Sequence, residues 1–159
     1  MPATIRIDEA RSPEEFAHAR RLFEEYQASL GISLDFQGFR DELETLPGAY
    51  APPRGALLLA SADGNLAGCI AMRPLDAEEA EVKRLYLRPA YRGLGLGRRL
   101  VETLTRRAAD IGYSGLRLDT LATMQAAMRL YEAMGFEETA PYHEATLAGM
   151  RFYRKPLAR

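Results

Sequence analysis

The residues best suited to chemistry in this 159-residue sequence are Arg92-Gly93-Leu94-Gly95-Leu96-Gly97-Arg98-Arg99, three glycines at alternate positions among arginines. An apolar run precedes them and a helical apolar pattern follows. The first turn of a helix carries N–H groups without intrahelical partners, at the positive end of the helix dipole. Glycines there let a bulky anion approach those groups, and guanidinium side chains pair with phosphate oxygens. The chemistry implied is a diphosphate seat between a strand end and a helix start. A P-loop is excluded because G-x-x-x-x-G-K-[ST] does not occur. A dinucleotide fingerprint would need a third glycine where Leu100 or Arg98 stands, although Asp119 falls about 20 residues on, where a ribose-binding acid belongs. The pattern [Q/R]-x-x-G-x-[G/A] is met at every fixed position by Arg92 to Gly97.

The elements that must position this run are legible from periodicity. Thr4 to Asp8 alternates as a first strand. Ser12-Pro13-Glu14-Glu15 is a helix start, with Phe16, Ala19, Phe23, Tyr26 and Leu30 at helical spacing before Gly31. A second amphipathic segment carries Phe36, Phe39, Leu43 and Leu46, and residues 49–55 are too proline-rich for regular structure. Two apolar strands flank Asp63-Gly64, and Glu81 to Arg88 reads as a third. A helix from about Leu96 to Ile111, a strand from Gly115 to Thr120, a helix carrying Met124, Ala127, Met128, Tyr131 and Met134, and two weak strands complete the chain. The order β-α-α-β-β-β-α-β-α-β-β predicts an α/β (α+β) fold: a mixed, mostly antiparallel central sheet, helices on both faces and one parallel β-α-β crossover.

Net charge is −1, 47% of residues are hydrophobic and 27% charged, so the balance points to neither nucleic acid nor a membrane surface. The apolar runs fall short of the roughly 20 residues that span a bilayer, and the N-terminus shows no signal-peptide pattern. A cytoplasmic, single-domain protein over residues 1–159 is expected. The one cysteine, Cys69, reads as a buried core residue, and the two histidines with no cysteine cluster predict no metal site.

With its loop and the segments EVKRLYLRP and LYEAMGF, the sequence resembles the Gcn5-related N-acetyltransferase (GNAT) family, in particular a small bacterial type with KRLY-, LDTL- and GF-type segments. The resemblance implies that acetyl-CoA is the co-substrate and that its acetyl group passes to a primary amine of a small molecule or peptide. It implies that Arg92, Gly93, Leu94, Gly95, Leu96, Gly97 and Arg98 hold the diphosphate, and that Leu85, Tyr86 and Leu87 hold the pantetheine arm through their main chain. One of those amides would also donate to the developing oxyanion. Tyr131 becomes the general acid for the departing thiolate. Glu81 becomes the candidate base, with a solvated strand-end charge or a Lys83 pair as the alternative. Met124 stands where many members have an asparagine, so that contact is absent or replaced by Thr120 or Thr123. Tyr50, Arg54, Arg73, Tyr142 and His143 are expected near the acceptor, where arginines would suit a carboxylate and His143 is a second possible base. A non-catalytic acyl-CoA sensor of the same fold and a nicotinamide-dependent oxidoreductase are the competing readings, and a homodimer is expected from the edge strands.

Overall fold

Ser12 opens the first helix through a reciprocal cap: its hydroxyl accepts from the Glu15 amide at 3.2 Å while the Glu15 carboxylate accepts from the Ser12 amide at 3.1 Å. In the computed structural model, which describes residues 3–34, 38–144 and 147–158, this helix, α1, runs Pro13–Leu30 and ends on left-handed Gly31. Strand β1 (Ile5–Glu9) precedes it. The short α2 (Phe39–Glu44), strands β2 (Ala56–Ala62), β3 (Asn65–Pro74) and β4 (Glu79–Leu87), and helix α3 (Leu96–Ile111) follow in turn. Strand β5 (Gly115–Leu121), helix α4 (Gln125–Ala133), β6 (Glu137–Glu138) and β7 (Met150–Pro156) complete it. The element order matches the sequence reading. The second helix is shorter than its apolar pattern suggests, and Phe36 lies outside the described residues. A single 3₁₀ turn at Gly48–Tyr50 interrupts the irregular segment.

The strands form one sheet in the order β1-β2-β3-β4-β5-β7-β6, antiparallel throughout except for the parallel β4–β5 pair. Two apolar cores lie on its two faces. Helices α3 and α4 bury Leu100, Leu104 and Tyr131 against Ile70, Met72, Val82 and Leu118. On the opposite face, α1 and α2 bury Leu22, Phe23 and Phe39 against Leu57, Cys69 and Tyr86.

Two irregularities of β4 shape the molecule. Lys83 pairs with Ala71 and Tyr86 with Cys69, so Arg84 and Leu85 together oppose the single residue Ile70. This is a β-bulge, and Arg84 takes the left-handed φ of 63° at its centre. The bulge shifts the alternation, so that Val82 and then Leu85 and Leu87 face the α3 side. The buried Cys69 thiol donates to the Arg84 carbonyl at 3.3 Å. Secondly, β4 and β5 pair only at Glu79↔Gly115, Ala80↔Leu116 and Glu81↔Arg117. Beyond that rung the strands diverge, while β5 stays paired to β7 along its full length. A slot opens through the middle of the sheet.

Candidate functional site

The glycine run lies at one end of the slot. Gly93 and Gly95 both sit at φ 79°, a conformation that disfavours any side chain, and a Cβ at either would meet nothing within 4 Å. Gly95 starts α3 with no side-chain cap. Among the described residues, none of the six consecutive amides from Gly93 to Arg98 donates a hydrogen bond. Leu94 is 53% exposed, while Leu96 is buried beneath the turn. Gly97 has a packing role as well, since a Cβ there would press on Leu130 of α4 at 3.2 Å. Arg92 donates to the Leu87 carbonyl at 3.0 Å with its guanidinium 5.9 Å from the Tyr86 ring centre. Arg98 pairs with Glu102 at 3.1 Å, and both Arg98 and Arg99 are exposed. An exposed turn with unused amides ringed by cations matches the diphosphate of a coenzyme in charge and in hydrogen-bonding sense.

The slot itself encloses about 580 Å³, open solvent at its mouth included, and draws its walls from both faces of the sheet. Val82 to Leu85 of β4 face Asp119, Thr120 and Leu121 of β5, and α1 contributes Tyr26 and Leu30. Beyond the Glu81↔Arg117 rung β4 is no longer paired to β5, and Leu85 of that stretch lines the slot, while the Leu87 carbonyl is held by Arg92. Tyr131 reaches the slot from α4, 6% exposed, its ring 5.6 Å from Phe136. Burial pushes its phenol well above the usual tyrosine range, reinforced by Tyr26 and Asp119. It is therefore protonated at neutral pH and able to give a proton. Thr120 lines the same wall and its hydroxyl lies 3.6 Å from the Met124 sulfur, while Thr123 is exposed.

Toward the α1–α2 face the slot meets a polar cluster built around the buried Glu81. Glu81 is 3% exposed, so it is no solvated strand end. Its Oε1 accepts from Arg73 at 3.0 Å and its Oε2 from the Tyr142 hydroxyl at 2.5 Å. His143 lies with Nε2 2.7 Å from Asp119 Oδ2 and Nδ1 2.7 Å from the Glu144 carbonyl. Both partners only accept, so the ring carries a proton on each nitrogen in this arrangement. Burial opposes that charge, but the Glu144 carbonyl and the Asp119 carboxylate outweigh it and raise the histidine above 6.5. Ligand atoms of Glu81, Asp119 and His143 fall within 4.8 Å of one another. Next to them the bulge residue Arg84 makes a two-pronged pair with Glu42 of α2 at 2.8 and 2.9 Å, stacked on Phe39.

Of the residues expected near an acceptor, Arg73, Tyr142 and His143 converge here and Tyr50 packs next to them. Arg54 does not: it donates to the Asp76 and Ala77 carbonyls and stacks on Tyr113. The sequence reading missed Glu42–Arg84 and weighed Asp119 only as a ribose-binding acid of the dinucleotide alternative, not as the partner of His143. The adjacent cations Lys83-Arg84 inside an apolar strand were the available signal for the bulge. The contacts of Asp119 depend on the chain between α4 and β7, for which periodicity says nothing.

The profile of the acetyltransferase (GNAT) family matches residues 15–136. An uncharacterised N-acetyltransferase of Schizosaccharomyces pombe is 36% identical over 160 residues, covering 99% of this chain and 98% of that protein. An acetyltransferase structure from Streptococcus agalactiae superposes with a TM-score of 0.78 at 25% identity, covering 96% of this chain and 98% of the other. The PaiA N-acetyltransferase of Thermoplasma acidophilum, in complex with coenzyme A, shares the fold with a TM-score of 0.76 at 22% identity, covering 96% of this chain and 99% of the other. No helix among the described residues is long and apolar enough to cross a membrane. Fold, slot and profile agree: this chain belongs to the GNAT acetyltransferase family, an acyltransferase with acetyl-CoA as its acyl donor.

Proposed function

We propose that the protein moves the acetyl group of acetyl-CoA to a primary amine of a small molecule or peptide by direct attack on the thioester. The observation that carries this reading is the slot, with unused amides at one end and a polar cluster around the buried Glu81 at the other. When bound, acetyl-CoA supplies a thioester carbonyl open to a nucleophile. The amides of Gly93 to Arg98 hold its diphosphate, with Arg92 and Arg98 adding charge. The edge of β4 at Leu85, Tyr86 and Leu87 would hold the arm as one strand holds another, and one of those amides would donate to the thioester oxygen.

An amine near neutral pH is mostly protonated and must lose a proton before it attacks. Glu81 takes that proton through Tyr142: the phenol gives its proton to Oε2 as it accepts one from the amine. Arg73 holds the other carboxylate oxygen in place. His143 serves as a fixed cation on Asp119, because both its nitrogens already carry protons. Tyr131 donates to the departing sulfur, which its place on the slot wall suits.

The test is thiol release from acetyl-CoA across a panel of amines, amino acids and peptides, with the acetylated product identified by mass. Release that depends on the amine is expected. Saturable acetyl-CoA binding with no transfer to any amine would favour the sensor reading instead.

A further inference from the structure

Beside the polar cluster, α2, residues 45–50 and β3 enclose a second pocket of about 510 Å³, open to solvent. Two donors line it: Arg73, whose fork also steadies Glu81, and Tyr50. Arg73 directs Nε and Nη2 to Glu81 Oε1, each at 3.0 Å, and among the described residues its Nη1 has no partner. Tyr50 is 2% exposed, and its hydroxyl is buried near Glu42 and Arg84 without a hydrogen bond of acceptable geometry. Two carboxylates also border the pocket. Glu42 has both oxygens engaged by Arg84, and Asp41 is exposed at the rim. The group that fits a guanidinium edge beside a phenolic donor is a carboxylate, which offers two acceptor oxygens and one negative charge.

The location ties this pocket to the chemistry. Arg73 sits across from Glu81 in register, and Glu81 is on the last paired rung before β4 and β5 diverge. Arg73 thus reaches from this pocket to the residue that marks the start of the slot.

We propose that Arg73 and Tyr50 form a carboxylate subsite, and that the acceptor is a small amino-acid-like molecule whose carboxylate rests there while its amine enters the slot. This rests on the reading of the protein as an amine acetyltransferase. It narrows the acceptor to compounds carrying both groups.

The experiment compares amino acids with their amides and with the corresponding decarboxylated amines, following thiol release from acetyl-CoA. It uses the wild type, Tyr50→Phe and Arg73→Gln. In the wild type, kcat/KM for the carboxylate form should exceed that for the amide at least tenfold, mainly through KM. Tyr50→Phe should lower that ratio several-fold, and Arg73→Gln should bring it close to one. The ratio is read within each protein, so damage to Glu81 in the arginine variant cancels. Equal use of amides and acids by the wild type, or a ratio unchanged in both variants, removes the subsite and leaves the acetyltransferase reading standing. Acetyl-CoA binding with no transfer to any amine brings down both.

Discussion

Tyr131 carries the most exposed claim at the scale of single residues, because one oxygen atom separates a packed ring from an acid. Its ring belongs to the α4 core and would pack as well in phenylalanine. Tyr131→Phe should therefore keep acetyl-CoA affinity within about twofold while kcat falls on the order of 100-fold, the lower range for a lost general acid. Calorimetric titration and steady-state rates check this, and an unchanged kcat takes the phenol out of the mechanism. His143 makes a different prediction. Its folded pKa is raised, so its contribution to stability is present in full below about 6.5 and is lost as pH rises through the raised value. Thermal melts of wild type and His143→Gln should differ most near pH 6 and converge in alkaline buffer. A gap that widens with pH would contradict the doubly protonated ring.

At the scale of elements, the glycine turn and the bulge do the positioning. Gly95 begins α3 at φ 79° with open space around its Cα, so Gly95→Ala strains the backbone without a clash. A cost of roughly 1 kcal/mol in stability is expected, together with weaker acetyl-CoA binding from the displaced amides. Urea melts and titration measure the two effects separately, and affinity equal to wild type would show that the turn does not hold the coenzyme. Gly68 has the opposite reason for being glycine: a Cβ would run into the Tyr86 carbonyl and the Leu87 side chain, where β3 passes close to the bulged strand. The elements were legible because each carried a local signal: the Ser12 capping box, the period of α3, the stop at Gly112. The bulge was only half legible. Lys83-Arg84 breaks the alternation of β4, but the physical cause of the break is Glu42, far away in sequence, drawing Arg84 into a buried pair.

At the scale of the whole molecule, the fold followed from element order and the phosphate seat from one loop. The polar cluster followed only in part: Arg73, Tyr142 and His143 were expected there but their partners were not, because it is assembled from β3, β4, β5 and the segment before β7. Tyr142 reaches Glu81 and His143 reaches Asp119 only once the sheet has formed, and no spacing in the chain encodes those meetings. On the proposed reading, the sheet keeps donor and acceptor apart until they react. The glycine turn lies on the α3 side and the polar cluster on the α1–α2 side, and the slot where β4 and β5 diverge is the passage between them. The measurement that tests this arrangement most directly is an amide ¹H–¹⁵N spectrum recorded while acetyl-CoA is added. The largest shifts should fall on Gly93 to Arg98 and on Val82 to Leu87, with the α1–α2 cluster moving little. Saturation with those amides unmoved would contradict the account.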